Sequence, residues 1–146
     1  MSELPLGVAS LIVDKALERG RELGLAPLTV VVLDAGGHLK AAKREDGASL
    51  LRPDIAMGKA WGVLGMGFGG REFARRAAAA PTFIGAIVTA SEGRIIPVAG
   101  GVLIRGSDGS ILGSVGISGD VSEQDEACAV YGIKSAGLVP DTGDPA

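Results

Sequence analysis

The sequence predicts an α+β domain built on a central antiparallel sheet flanked by helices, and three observations carry that prediction. Amphipathic helical segments open and close the chain, short extended runs come in pairs joined by glycine-containing turns, and strand-sized runs are grouped rather than alternating with helices. Parallel neighbours need a crossover of roughly a dozen or more residues, usually a helix, so grouped runs with tight turns imply hairpins.

From about Pro5 to Leu23, Val8, Leu11, Ile12 and Ala16 recur at three- and four-residue steps with Lys15, Glu18, Arg19 and Arg21 between them, the pattern of an amphipathic helix. Ser2 suits its cap, Pro5 its first turn, and Gly20 or Gly24 its end. Leu28 to Leu33 and His38 to Lys43 then read as a hairpin around Asp34-Ala35-Gly36-Gly37, where glycine supplies positive φ and lets another group approach the backbone. After Arg44-Glu45-Asp46-Gly47-Ala48, Pro53 opens a helix carrying Ile55, Ala56, Lys59, Ala60 and Val63, and a second helix is expected from Arg71 to Ala80. Gly62, Gly65, Gly67, Gly69 and Gly70 are too frequent for a helix interior and predict a mobile or tightly packed joint.

Pro81 ends the alanine run, and the segments near Ile84 to Thr89, Ile95 to Val98, Val102 to Arg105 and Ile111 to Ser118 are expected as strands. Ser107-Asp108-Gly109-Ser110 joins the last two as a hairpin turn. Ser122 and Asp125 have the spacing of a capping box on a final helix reaching about Ala136, before Gly137 and Pro140, and the last few residues read as a loose tail.

At 146 residues, 47% hydrophobic and 21% charged, the chain has the makeup of one globular domain with a core of its own. A net charge of −3 offers no footprint for a phosphate backbone, so nucleic acid is excluded as a partner. The densest basic cluster, Arg71 to Arg76, reads as a solvated helix face, with a small anion as its functional alternative. The single cysteine, Cys128, rules out an internal disulfide and a four-thiolate zinc site, and its Ala and Val neighbours mark it as buried and inert. No metal site is expected. No apolar run reaches bilayer length and the first residues lack a basic-then-apolar leader, so a cytoplasmic location without membrane contact is expected.

His38 is the first candidate for chemistry, being the only side chain whose ordinary pKa lies near neutrality. A structural role and ligation of a metal or haem are its alternatives. Asp34 sits across the same turn, placed to orient the imidazole or to bond to the amides of Gly36 and Gly37. Lys59, on an apolar helix, can act as a base, an amine nucleophile or an anion clamp if burial lowers its pKa, or simply extend to the surface. Asp125 and Glu126 open the last helix, where their charge favours the helix dipole or else one of them faces a pocket as a proton carrier. Gly100 and Gly101 can present N–H groups to a carboxylate or form a bend. Nothing matches a nucleotide-binding glycine motif or a serine-nucleophile elbow.

Val32-Leu33-Asp34-Ala35-Gly36-Gly37-His38-Leu39, Arg44-Glu45-Asp46-Gly47-Ala48, the Lys59-Ala60 helix, and Gly113 to Gly119 followed by Gln124-Asp125-Glu126 together resemble the GlcG/HbpS family, the haem-degrading domain family related to the C-terminal domain of PduO-type proteins. Each block is weak alone, but their order spans most of the chain. The resemblance implies a profilin-like domain that assembles into homo-oligomers. It adds Arg44 to the candidate binding residues and haem or another tetrapyrrole to the candidate ligands. One departure is Val102-Leu103-Ile104 after Gly100-Gly101, where the family often carries a proline.

Three functions compete. The leading expectation is a cofactor-independent enzyme acting on a small organic acid or carbonyl compound by proton transfer, of isomerase, hydratase or lyase type. His38, Lys59, Asp125 and Glu126 would be catalytic, and Asp34, Gly36, Gly37, Arg44, Gly100 and Gly101 would bind substrate. The alternatives are a haem-binding or haem-degrading protein and a non-catalytic partner of a catabolic enzyme. The lone histidine and sparse aromatics motivate the preference for the enzyme.

Overall fold

The computed structural model describes residues 3–145. Helix α1 spans Leu6–Glu22, β1 Thr29–Asp34, β2 Leu39–Arg44, α2 Arg52–Met66, α3 Gly70–Ala79, α4 Pro81–Ala90, β3 Gly101–Arg105, β4 Ile111–Ser118, α5 Ser122–Ser135 and β5 Val139–Asp141. The strands form one antiparallel sheet in the order β2-β1-β4-β3-β5. This is the predicted α+β arrangement with helices on both faces of the sheet.

Alternation along β1 sorts its side chains between two cores, because successive residues of a strand point to opposite faces. Val30 and Val32 join Ile12, Val13 and Ala16 of α1 and Cys128, Ala129 and Ile133 of α5 on one face. Val31 and Leu33 meet Ala56 and Ala60 of α2 on the other. Strand β1 is buried on both faces and therefore reads as an unbroken apolar run, whereas the edge strand β2 is largely exposed. Helix α2 lies very close to the sheet. A Cβ at Gly116 of β4 would run into the Ala56 carbonyl, so glycine there sets the separation of helix and strand.

Several expectations need correction. Ser2 lies outside the described residues, and Pro5 occupies the cap position of α1 with no side-chain cap. Gly20 lies inside α1, buried, not at its end. Gly62 and Gly65 lie within α2 rather than in a joint, because the ring of Phe73 and Ile95 press on Gly62 too closely for a Cβ to sit comfortably. The segment from Ile84 to Thr89 is not a strand but the body of α4. Pro81 suits the first turn of that helix, and Ile84 packs with Phe73 and Ile95. Ile95 to Val98 form a loop whose ladder partners are missing; Ile96 N–H donates instead to the Gly58 carbonyl of α2. Val139–Asp141 is an edge strand the sequence did not predict, paired with β3 and tied by Asp141 to Arg105 at 2.9 Å, and in the expected loose tail Asp144 pairs with Arg71 at 3.6 Å.

Candidate functional site

The β1–β2 turn is built by Asp34. Its Oδ1 accepts the N–H groups of Gly36 and His38, each at 3.0 Å, while Gly37, at φ 82°, donates its N–H to the Asp34 carbonyl. The same Oδ1 lies 3.3 Å from His38 Nδ1. These N–H donors hold the Asp34 carboxyl below the usual carboxylate range. The His38 side chain is 81% exposed, so the imidazole is oriented from one side and open on the other. Sequence reasoning places Asp34, Gly36, Gly37 and His38 together, and the structure does so.

Two clefts flank this turn. One, of about 300 Å³, is bounded by Asp34, Gly36, His38, Lys40 and Leu112. The other, of about 490 Å³, lies between Gly37 and α2, with Asp54, Met57 and Trp61 on the helix and Gly93 and Arg94 on the loop after α4. Both fall near the size range of small-molecule sites, roughly 300–1,000 Å³. The Arg94 guanidinium stacks 4.0 Å from the Trp61 ring centre and donates to the Ser91 carbonyl. Sequence reasoning missed Met57, Trp61 and Arg94. The only tryptophan of the chain, four residues after Met57 on a helix, was the available signal for the first two; nothing in the sequence marked Arg94.

Lys59 belongs to another place. Its ammonium, only 4% exposed, donates to the Ile117 carbonyl at 2.9 Å and to Asp125 Oδ2 at 3.3 Å, and Asp125 is wholly buried. Burial pushes the Lys59 pKa down and the Asp125 pKa up, each towards its neutral form, against their mutual attraction. Gly100 rests against the Lys59 side chain, and Gly101 approaches the Lys59 carbonyl so closely that a Cβ would sit 2.5 Å away. The two glycines are thus close-packing positions around α2. Glu126 takes a forked contact from Arg71, with N–O distances from 2.8 to 3.0 Å, so Arg71 is an ion-pairing residue and not part of a solvated face.

The expected capping box is absent, because Val121 is the cap of α5 and Asp125 reaches back to the Asp120 N–H and to Lys59 instead. Nor do His38 and Lys59 share a pocket within one chain. Asp34 is registered with Gly113 and Val30 with Ile117, so the turn and the lysine lie four strand residues apart, roughly 13 Å. Arg44 lies at the Lys59 end of β1, opposite Thr29. Cys128 is buried, with its thiol pushed up to about 11 by burial.

The β1–β2 turn thus carries an oriented, open imidazole at the edge of one cleft, with an aromatic cleft on its other side. Residues 4–134 match the family model described as haem degrading protein HbpS-like, and the chain belongs to that family. No curated protein sequence matches it. Among solved structures, it is similar to the PduOC:heme complex, with 26% identity, a TM-score of 0.84, and coverage of 97% of this chain and 99% of that one. It is also similar to a double mutant of HbpS from Streptomyces reticuli, at 26% identity, TM-score 0.79, covering 92% and 88%. The fold is shared with the Klebsiella pneumoniae protein ORFY, at 24% identity, TM-score 0.84, covering 94% and 92%.

These matches overturn the leading functional expectation. The family is described by haem degradation and a similar structure is a haem complex, so proton transfer on a small acid without a cofactor is not the reading they support. The preference drawn from sparse aromatics counted residue types alone, and the family match outweighs it. Among the described residues no helix is long and apolar enough to cross a membrane.

Proposed function

We propose that this chain binds haem or a closely related tetrapyrrole at the β1–β2 turn, with His38 as the ligand facing the metal. The observation that carries the reading is the His38 imidazole, 81% exposed, oriented at Nδ1 by Asp34 with its other ring nitrogen open. A carboxylate behind a ligating imidazole fixes its tautomer and raises its basicity. Across the same turn, in the separate cleft on its Gly37 side, Trp61 and Met57 offer apolar surface, and Arg94 is a cation without a carboxylate partner among the described residues, the kind of group that pairs with a propionate. When bound, haem would supply the redox and oxygen chemistry; His38, oriented by Asp34, would hold it at the turn.

We also read the chain as a homo-oligomer through α4. Its sequence, Pro-Thr-Phe-Ile-Gly-Ala-Ile-Val-Thr-Ala, carries no charge, yet only Ile84 is buried and Phe83 is 63% exposed. Uncovered apolar helices of this kind mark association surfaces.

Haem titration followed by absorption spectroscopy tests the binding reading. Wild-type protein is expected to give a saturable Soret shift that His38→Ala weakens and displaces. Absence of a saturable shift in the wild type would overturn haem binding, and an identical shift in His38→Ala would remove His38 as the ligand. Reductant and oxygen added to the loaded protein then show whether the macrocycle is consumed.

A further inference from the structure

At the end of the sheet away from His38, three side chains stand on the face covered by α2. They are Arg44 of β2, Thr29 of β1 and Ser118 of β4, and Thr29 is the register partner of both others. The two-residue period puts Thr29 on the same face as Val31 and Leu33, which pack on Ala56 and Ala60. Arg44 Nη1 donates to the Ala48 carbonyl at 2.8 Å, and Arg52 Nε donates to Ser49 Oγ at 3.3 Å. Arg52 Nη1 also reaches Ser118 Oγ at 3.1 Å. Two guanidiniums therefore converge on consecutive residues of the loop entering α2, and the acceptors they reach are neutral.

Among the described residues they share that pattern only with Arg94, which donates to the Ser91 carbonyl. Arg19, Arg21, Arg71, Arg75, Arg76 and Arg105 each meet a carboxylate. Three of the nearby acids are already engaged: Glu45 with Arg21 and the Leu28 N–H, Asp120 with the N–H groups of Ala26 and Val121, and Asp125 with Lys59. Guanidinium forks match carboxylate oxygens in geometry and charge, so two of them held on neutral oxygens keep donors for an incoming anion. Between them, the Thr29 hydroxyl is buried, the residue being 1% exposed, and has no hydrogen-bond partner among the described residues. Buried hydroxyls are nearly always paired, so this one has a bond left to make. Leu50 and Leu51, 90% and 62% exposed, immediately precede Arg52 and put uncovered apolar surface beside the two cations.

We propose that Arg44, Arg52 and Thr29 form a second binding site, for a small carboxylate carrying an apolar tail, with Leu50 and Leu51 covering the tail. The site is separate from the turn proposed to hold haem and stands whether or not haem binds there. Arg44 and Arg52 fork the carboxylate, Thr29 donates its free O–H to it, and Ser118 keeps Arg52 aimed along the sheet.

Octanoate is the probe, with acetate and inorganic phosphate as comparisons, titrated into the full chain and followed by amide chemical shifts and calorimetry. Octanoate should saturate with shifts centred on residues 29, 44, 52 and 118, while acetate, without a tail, binds more weakly by about tenfold or more. Arg44→Gln and Arg52→Gln should each weaken octanoate by about tenfold, the loss of one charge-assisted contact, and Arg52→Lys should restore part of it. Thr29→Val keeps the shape and removes only the idle hydroxyl, so the ligand-free protein should be as stable as wild type while octanoate binds less tightly. Haem titration of Arg44→Gln should match wild type, which separates failure here from failure at His38. Were Arg52→Gln not to fold, Arg44→Gln, at an exposed edge position, decides the matter. No saturable response to octanoate, or unchanged binding in the arginine variants, overturns the site. Acetate or phosphate binding as tightly as octanoate overturns the assignment of a tailed carboxylate.

Discussion

The two ends of β1 treat their charged groups in opposite ways. At the Asp34 end, an acid and an imidazole sit in a turn that backbone N–H groups already satisfy, and the imidazole faces solvent over open clefts. At the other end, on the α2 face, Lys59 and Asp125 face each other under complete cover, with Ile117 and Asp120 supplying the remaining hydrogen bonds. Sequence reasoning ranks His38, Lys59 and Asp125 alike as catalytic candidates because it weighs residue type and neighbours, whereas accessibility separates them. The buried pair joins α2 to β4 and α5, and the open pair is free to meet a ligand.

Breaking the buried pair should have the largest effect. Lys59→Met leaves Asp125 without its counter-charge and should cost about 3–5 kcal/mol of unfolding free energy in denaturant melts, whereas Lys59→Met with Asp125→Leu should recover most of that loss. The deficit of Lys59→Met should also shrink in acid. Without the lysine, burial raises the Asp125 pKa further above its unfolded value, so the folded variant takes up a proton more readily. A raised folded pKa contributes stability that is fully present below the unfolded value of 3.8 and lost as pH rises through the folded one. The gap to wild type should therefore widen with rising pH from about 4 upward. A constant gap would mean that Asp125 does not change its protonation there.

Gly116→Ala comes next, because the new methyl meets the Ala56 carbonyl of α2 and the helix must lift; about 1–3 kcal/mol is expected, read from the same melts. His38→Ala stands on the other side of the comparison. It should leave stability within about 0.5 kcal/mol, as an exposed side chain, while weakening haem by about tenfold or more in the spectral titration. If His38→Ala were as destabilising as Lys59→Met, the distinction between an open and a closed pair would collapse.

Much of the sheet was legible. The runs from Thr29 to Asp34 and from Ile111 to Ser118 have β-branched and apolar residues between strong turn residues, and local pattern and tertiary pairing agree there. Ile84 to Thr89 has the same local character but became helix, because Pro81 favours a helical first turn and the helix seats Ile84 against Phe73 and Ile95. β5 was unreadable in three residues that include a proline; its place on the edge of the sheet is fixed by β3. At the site, the Asp34–His38 turn is local and so could be read, whereas Lys59–Asp125 links residues 66 apart, and a capping box was the nearer partner that local spacing offered Asp125.

Substitutions at Asp34 separate its turn-forming role from its effect on His38. Asp34→Ala removes the acceptor of two backbone N–H groups and should cost about 1 kcal/mol, discounted because the side chain is 31% exposed. Asp34→Asn keeps an oxygen in that place and should cost less. The wild-type carboxyl has its pKa lowered below 3.8, so its contribution is present above that value and disappears as pH falls through the folded pKa. Melting temperatures of wild type and Asp34→Asn should accordingly converge below about pH 4, and only there. The haem readout completes the comparison, since Asp34→Asn keeps the turn but loses the negative charge behind Nδ1. Weaker haem binding with the fold intact would place Asp34 behind the ligand, and unchanged binding would confine it to the turn.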